Sequence, residues 1–339
     1  MMALRWMLPV ILLLAGCRKE VPRPAPTIQA YVWQDSRKAE VIRAITLSRG
    51  TISALHLRAA ELRWTGREFS IERVITGKLP LADCGLVMRI GASASGLEWT
   101  EAEIREVAEL VKELAALKPI EIQCDYDCPQ SRLDRYIVLL DALQKAAGPV
   151  PVIPTTLPSW LDAPEFAKLV TGRPGYVLQV HSLQLPKTPD EPVLLFDPAA
   201  TRLAVKRASS LGVPFRVAMA TYGCEVWFGP DDKVMDVISE DRGPEGKSPA
   251  RRSFSLADPI ESARLIREWN QNPPPGLNAV IWYRLPIDGD RRNWPWQTFQ
   301  LVAKGEERPA SVVLEDVPQE KVSDLFIVNR GEFPAPLPA

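Results

Sequence analysis

IEIQCDYD, residues 120–127, alternates apolar and polar side chains along its whole length. Because successive side chains of a β-strand point to opposite faces, this stretch predicts one face suited to burial and a second face that is entirely polar. The polar face ends in Asp125 and Asp127, which would lie about 7 Å apart at a rise of roughly 3.3 Å per residue. A polar row of this kind on a half-buried strand predicts a functional site.

β-rich runs and helical patterns alternate on both sides of this strand, from residue 28 to residue 286. This alternation favours repeated βα units around a parallel sheet, and eight strands are the number that closes a (β/α)8 barrel. The sequence therefore predicts an α/β fold, with a TIM barrel over residues 28–290 and a small β-rich appendage over residues 291–339. The eight predicted strands are Ile28–Gln34, Ile52–Leu57, Leu86–Gly91, Ile120–Asp127, Val150–Thr156, Tyr176–His181, Phe215–Tyr222 and Ala279–Arg284. The predicted helices are Lys38–Leu47, Thr100–Leu117, Ser131–Ala147, Pro164–Val170, Ala199–Leu211 and Pro259–Trp269.

Two predicted connections, Leu62–Asp83 and Gly223–Leu256, are too long for ordinary loops between a strand and a helix. The second is rich in Gly, Pro and charged residues, and it would lie over the barrel face at which active sites are found. It is either a lid or a disordered insert. After the barrel, the predicted short strands of the appendage are Trp296–Val302, Ser311–Glu315 and Leu325–Val328.

Residues 1–16 have the pattern of a secretory signal peptide, with a basic residue, an apolar run and small residues before Cys17. Leu-Ala-Gly-Cys at this point resembles the bacterial lipobox, which implies cleavage before Cys17 and acylation of that cysteine. The apolar run is shorter than the roughly 20 residues of a membrane-spanning helix, which disfavours that alternative. Residues 17–27 would form a lipidated, proline-rich tether. Arg18, in place of an aspartate after the cysteine, favours the outer membrane and a domain that faces the periplasm.

The charge balance excludes one class of partner. Cleavage before Cys17 would remove one of 41 basic residues and none of 42 acidic residues, which changes the formal net charge from −1 to −2. No basic block is long enough to suggest nucleic-acid binding. The membrane contact that we expect is made through the lipid anchor alone.

Four cysteines follow Cys17, an even number in a compartment that permits disulfides. They are Cys84, Cys124, Cys128 and Cys224. Cys128 and Cys224 both follow predicted strands at the same end of the barrel and form the first pair to test, although spacing does not fix the connectivity. A zinc site is less favoured because Cys124 and Cys128 have no matching second pair and the chain has only two histidines. We therefore expect no metal and no other cofactor.

Polar side chains lie near the C-terminal ends of several predicted strands, where barrel enzymes place catalytic and binding groups. Besides the two aspartates of the fourth strand, these are Arg89, Gln123, Gln179 and His181. Aromatic residues crowd the same end, and their flat faces beside hydrogen-bonding groups suit stacking on sugar rings. They are Trp33, Trp160, Tyr222, Trp227, Trp282 and Tyr283. The structural alternative is that the carboxylates only accept hydrogen bonds from neighbouring groups and that individual Trp residues belong to the core.

Five ordered blocks stand out along the predicted barrel, and they cover most of residues 28–286. They are YVWQ (31–34), IQCDYD (122–127), LPSWL (157–161), LQVH (178–181) and ATYG (220–223). These blocks resemble a bacterial lipoprotein family that is defined by a domain of unknown function. More distantly, the acidic end of the fourth strand is similar to chitinase-like glycoside hydrolases, whose motif there runs through aspartates to a glutamate acid. This chain has Asp127 where that acid is expected, and Pro129, at the next position with a similar role, carries no carboxyl group.

These observations lead to the hypothesis of a glycan-active barrel. In it, Asp127 protonates the glycosidic oxygen, with its pKa raised by Asp125 and by a partly dry site. Asp125 orients the substrate or stabilises positive charge. A second carboxylate would come from Glu61, Glu225 or Asp288, unless the substrate itself assists the reaction.

Two rival hypotheses remain at this stage. One is an envelope-anchored protein that binds a glycan or another small molecule without cleaving it. The other is an envelope scaffold that acts through the 223–256 insert or the β appendage.

Overall fold

The computed structural model describes residues 22–79, 81–181, 185–191, 193–239, 248–319 and 322–334. The predicted signal peptide (residues 1–16), the lipidation site Cys17 and residues 18–21 of the tether lie outside these described residues. No helix in the described ranges is both long and apolar enough to cross a membrane.

Eight parallel strands form a closed barrel. The strands of the whole chain are β1 (Thr27–Val32), β2 (Ala54–Trp64), β3 (Phe69–Arg73), β4 (Gly85–Ile90), β5 (Ile122–Tyr126), β6 (Val152–Thr156), β7 (Tyr176–Gln179), β8 (Phe215–Ala220), β9 (Gly223–Phe228), β10 (Val234–Ile238), β11 (Arg251–Leu256), β12 (Leu277–Tyr283), β13 (Val312–Pro318) and β14 (Ser323–Asn329). The barrel order is β1-β12-β8-β7-β6-β5-β4-β2, and β1 pairs with β2 to close the ring. Each of the eight predicted strands is present, so the predicted (β/α)8 fold is confirmed.

Helices cover the outside of the ring. They are α1 (Ala39–Ser48), α2 (Glu101–Ala115), α3 (Leu133–Ala147), α4 (Pro164–Val170), α5 (Pro198–Ser210), α6 (Pro259–Gln271) and α7 (Trp296–Lys304). The apolar row of β5 faces them, because Ile122, Cys124 and Tyr126 are all buried. Tyr136 of α3 packs edge-on against Tyr126 and donates a hydrogen bond to the Cys124 carbonyl at 2.9 Å. The polar row of β5 must therefore face the barrel axis.

The predicted strand Trp296–Val302 is wrong, because these residues form the helix α7. Its buried residues Phe299, Val302 and Ala303 recur at the spacing of one helix face. Gly305 ends the helix in the left-handed conformation, with a φ of 75°. The other two predicted strands of the appendage overlap β13 and β14, which pair as an antiparallel hairpin.

The two long connections both contain additional strands. After β2, which continues to Trp64, β3 folds back and pairs with it in antiparallel register. In the described part of the 223–256 insert, β9, β10 and β11 form a three-stranded antiparallel sheet. Residues 240–247 of the insert lie outside the described residues, but the described part is an ordered sheet.

The proposed Cys128–Cys224 disulfide is wrong. The four cysteines of the barrel region are all free and all buried. Cys128 lies in the connection after β5, and Cys224 lies in β9 of the additional sheet, where each thiol is buried without a bond to the other.

Two tryptophans that were predicted to contact a sugar lie instead in the core outside the barrel. Trp282 is fully buried and packs against Trp294 and Phe299, with ring centroids 5.6 and 5.9 Å apart. Trp160 is also buried and packs against Tyr136 of α3. Both belong to the structural alternative, in which the indole fills space between strand and helix.

We expect Trp282→Ala to lower the free energy of unfolding by about 3 to 5 kcal/mol, because the truncation leaves a large cavity in a packed layer. Urea unfolding followed by circular dichroism measures the change. The control is Phe326→Ala on β14, where the side chain is half exposed, and we expect a change within about 0.5 kcal/mol there. A cost for Trp282→Ala below about 1 kcal/mol would contradict this packing.

Candidate functional site

The half of the barrel interior that lies towards the N-terminal ends of the strands, called the lower half here, holds a buried polar network. Arg216 of β8 pairs with Glu121 at 2.8 Å, and His56 of β2 lies 3.4 Å from the same carboxylate oxygen. Burial raises the pKa of Glu121, but the positive charge of Arg216 and the hydrogen bonds outweigh this and lower the pKa overall. Burial lowers the pKa of His56 to about 4, so this ring is neutral at neutral pH.

Gln123 belongs to this network and does not line a cleft, so its predicted role in substrate binding is wrong. Its side chain is fully buried, donates to Glu121 at 2.8 Å and accepts from the Tyr31 hydroxyl at 2.6 Å. Gly85 of β4 makes room for the network, because a Cβ there would lie 2.3 Å from Nδ1 of His56. The network fills the lower half of the barrel interior, beneath the site.

Above this polar network, the C-terminal ends of the strands surround a cleft of about 400 Å³. Its lining residues are Tyr31, Trp33, Val87, Arg89, Asp125, Asp127, Thr155, Leu157, Gln179, His181, Tyr222, Ser239 and Tyr283. Eight residues that the sequence analysis placed at this end of the barrel meet here: Trp33, Arg89, Asp125, Asp127, Gln179, His181, Tyr222 and Tyr283.

The side-chain amide of Gln179 bridges Asp125 and Asp127 through hydrogen bonds. Nε2 of Gln179 donates to Oδ1 of Asp125 at 3.2 Å and to Oδ1 of Asp127 at 3.3 Å. Those two oxygens are therefore no more than about 6.5 Å apart, the sum of the two distances. Thr155 of β6 donates a further hydrogen bond to Asp125 at 2.8 Å. Asp125 is half buried and held by two donors, whereas Asp127 lies at the exposed rim.

The pKa values of both carboxyls are raised. Burial raises the pKa of Asp125, although Thr155 and the positive charge of Arg89 oppose the shift. The protein atoms around the cleft and then the negative charge of Asp125 raise the pKa of Asp127 to about 6. Asp127 is thus a carboxyl group that exchanges its proton near neutral pH.

Aromatic rings form the wall opposite the carboxylates. Tyr283, at the end of β12, stacks on His181 with centroids 5.3 Å apart and planes within 7°. Tyr222 and Trp33 meet the Tyr283 ring edge-on at 5.4 and 5.1 Å. Burial lowers the pKa of His181 to about 4, so the ring contributes a neutral hydrogen-bonding group at neutral pH.

Glu61 lies on β2, beside Arg89 in the strand register, but it does not line the cleft. Its carboxylate is paired with Arg58 at 3.3 Å and with Arg63 at 3.2 Å. The other candidates for a second carboxylate lie elsewhere. Glu225 accepts a hydrogen bond from Trp227 in the additional sheet, and Asp288 lines a separate groove.

The sequence analysis missed Tyr31 and Thr155, although a signal for both was present. Tyr31 shares its strand face with Trp33, and Thr155 lies in the cross-strand row of Asp125. If the inward-facing positions had been assigned on every predicted strand, as they were on β5, both residues would have been among the predicted site residues. Ser239, beyond β10, carries no such signal because it does not lie on a barrel strand.

Comparison with protein families gives one match. The family described as "Domain of unknown function (DUF3142)" matches residues 86–288, which contain β4 to β12 and most of the cleft. No curated protein matches the sequence.

Solved structures share the fold at low sequence identity. A chitinase from Chromobacterium violaceum ATCC 12472 has a TM-score of 0.56 and 15% identity, covering 83% of this chain and 99% of that one. The spore cortex-lytic enzyme SleL of Bacillus cereus has a TM-score of 0.55 and 11% identity, with 85% and 76% covered. Chitinase ChiA74 from Bacillus thuringiensis has a TM-score of 0.53 and 8% identity, with 91% and 80% covered. At these identities the likeness establishes the barrel fold.

We expect Asp125→Asn to lower the pKa of Asp127 from about 6, because the substitution removes the neighbouring negative charge. The pKa should remain above the usual value for aspartate, since the cleft atoms are unchanged. Titration of the carboxyl carbon by NMR measures this shift. The control is Asp134→Asn on the exposed face of α3, and an Asp127 pKa that did not change in Asp125→Asn would disprove the coupling.

Proposed function

The chain belongs to the DUF3142 family, whose name assigns no reaction, and we propose from its cleft that it binds a glycan and cleaves a glycosidic bond, with Asp127 as general acid. The observation that carries this proposal is the position of Asp127, a carboxyl group with a pKa of about 6 at the mouth of an aromatic-walled cleft. A general acid works best when its pKa lies near the working pH, because it is then both protonated and able to transfer the proton.

Asp125 supports this acid in two ways. Its negative charge keeps the proton on Asp127, and its own position is fixed by Thr155 and Gln179. It also presents negative charge to the positive charge that develops on a sugar ring as the glycosidic bond breaks.

The nucleophile is not supplied by this aspartate pair. In the common two-carboxylate mechanisms, the acid and the second carboxylate stand on opposite sides of the scissile bond. Asp125 and Asp127 lie two residues apart on one strand and share one donor, Gln179, so they approach a sugar from the same side. Glu61 is engaged with two arginines outside the cleft. The arrangement therefore favours a reaction in which a neighbouring group of the substrate, such as a 2-acetamido carbonyl, attacks.

The remaining cleft residues suit a sugar. The rings of Tyr222, Tyr283 and His181 offer flat surfaces, and the Gln179 amide and neutral imidazole offer hydrogen bonds. The structurally similar proteins include two named as chitinases and one as a cortex-lytic enzyme, which agrees with a glycan ligand.

A second candidate function is glycan binding without cleavage. The observation that favours it is the absence, among the described lining residues, of any acidic group besides Asp125 and Asp127. Without assistance from the substrate, this cleft would hold a sugar and leave it intact.

We expect Asp127→Asn to lower kcat at least 100-fold on the cleaved glycan, because the amide cannot donate the proton, while the Kd stays within a few fold. Fragments of peptidoglycan, chitin and β-glucan form the panel, with product release followed by mass spectrometry and binding by calorimetry. In the wild-type protein, kcat/KM should fall about tenfold per pH unit above the pKa of about 6, since only the protonated acid reacts.

Asp134→Asn is the matched control and should keep both turnover and pH profile, because this carboxylate lies on the exposed face of α3. Full turnover by Asp127→Asn would refute the role of Asp127. Binding without products across the panel would favour the second candidate. Failure to bind any fragment would overturn the glycan cleft itself.

We also propose that the barrel is held at the cell envelope, on the outer membrane facing the periplasm, by acylation of Cys17. The support for this is the signal-peptide pattern before Cys17 and the proline-rich stretch after it.

Cys17→Ser should abolish incorporation of radiolabelled palmitate in a bacterial host and move the protein from the membrane fraction to the soluble fraction. Two acyl chains or more anchor a protein stably to a bilayer, so the change in distribution should be large. Cys84→Ser is the control, because this buried thiol lies in the barrel and its loss should leave the label in place. Palmitate retained by Cys17→Ser would rule out this anchor.

A further inference from the structure

Arg89 brings a positive charge into the cleft without a hydrogen-bonded or ion-paired partner among the described residues. It lies at the end of β4, is only partly exposed and lines the cavity. In the part of the chain that the structure describes, its guanidinium forms no hydrogen bond and no ion pair, and its Cζ atom lies 5.8 Å from the centroid of the Trp33 ring. Five N–H donors are thus available to a molecule in the cleft.

Other arginines of the barrel strands and their ends are all paired. Arg58 pairs with Glu61, Arg216 with Glu121, and Arg284 with Asp290 at 2.6 Å. These pairs follow the rule that a buried charge is retained where it is compensated. Arg89 is balanced only through space, by the charges of Asp125, Glu61 and Asp127, and its N–H donors are left unpaired where a ligand can reach them.

Arg89 lies beside Asp125 in the strand register, and the negative charges of Asp125 and Asp127 help to raise its pKa, but its guanidinium contacts neither carboxylate. Its Cζ atom lies 5.8 Å from the centroid of Trp33, which follows β1, on one side of β4 around the ring. Asp125 and Asp127 are held by Thr155 of β6 and Gln179 of β7, on the other side. The cleft therefore presents a proton donor and a cation on the neighbouring strands β5 and β4.

We infer that Arg89 binds a carboxylate of the substrate, so that the glycan in this cleft is acidic. The inference rests on the proposed function, because it names the class of glycan for the same cleft. A guanidinium matches a carboxylate through two parallel hydrogen bonds, and a stacked aromatic ring holds its plane in place. The carboxylate belongs to a uronic acid or to a carboxyl-bearing ether substituent on an amino sugar.

In this arrangement the Trp33 ring packs against the Arg89 guanidinium and is not a free surface on which a sugar ring stacks. Arg58 also lies 5.8 Å from the Trp33 centroid, but it does not line the cleft and is paired with Glu61. The two arginines thus share one aromatic neighbour and differ in access to a ligand. This difference provides a matched control within the chain.

The test compares each acidic oligosaccharide with a neutral one of the same length. The first pair is β-1,4-linked glucuronic acid against cello-oligosaccharide, and the second is peptide-free peptidoglycan strand, with its lactyl carboxylates, against chito-oligosaccharide. Calorimetry at pH 7 gives the Kd ratio of each pair. We expect the wild-type protein to bind the acidic member of one pair at least tenfold more tightly, and the pair that does so identifies the source of the carboxylate.

Arg89→Gln should reduce that ratio to about one and leave the Kd of the neutral member within a few fold, whereas Arg58→Gln should preserve the ratio. Added salt should weaken the acidic preference of the wild-type protein. Equal affinity of the wild-type protein for both members, or a ratio unchanged in Arg89→Gln, would overturn the inference and leave the glycan cleft standing. Binding of neither member of either pair would overturn both.

Discussion

A closed ring of parallel strands gives its inward side chains no access to solvent except at the two ends, and this constraint governs every charged group in the barrel. An inward charge must be paired, as Glu121 is with Arg216 at 2.8 Å. Loss of one member of such a pair leaves an uncompensated charge and typically costs about 3 to 5 kcal/mol. The polar row of β5 is therefore possible only because other strands supply partners at each level.

The two halves of the interior meet this constraint differently. In the lower half, the hydroxyl of Tyr31, the amide of Gln123 and the ring of His56 complete one another's hydrogen bonds, and no ligand is needed. In the upper half, Asp127 has one long hydrogen bond and Arg89 has none. The upper half thus keeps polar groups accessible in the cleft, which is why the proposed chemistry is assigned there, whereas the lower half supports it.

The fold was predictable because a parallel barrel repeats one pattern, and the eight strands and six of the helices follow from it. The depth of a side chain was not predictable in the same way. Gln123 and Asp125 share a face, yet their heights in the barrel depend on register with β4, which alternation alone does not give. Trp282 could have been assigned to the core outside the barrel. Its neighbour Tyr283 faces the cleft, and adjacent residues of a strand point to opposite faces. Trp160 lies in a turn after β6, where no alternation applies.

The position of the additional sheet over the barrel is set by the same pairing rule. Arg284, directly after β12, is buried and forms an ion pair with Asp290, and its remaining donor binds the carbonyl of Ser239 at 2.8 Å. Ser239 in turn lines the cleft beyond β10. Because loss of these partners would leave a buried charge unpaired at a large cost, the sheet is fixed to the barrel end. The upper wall of the cleft is thus positioned by the fold itself, so the proposed binding of a glycan would order few side chains and lose little affinity to that ordering.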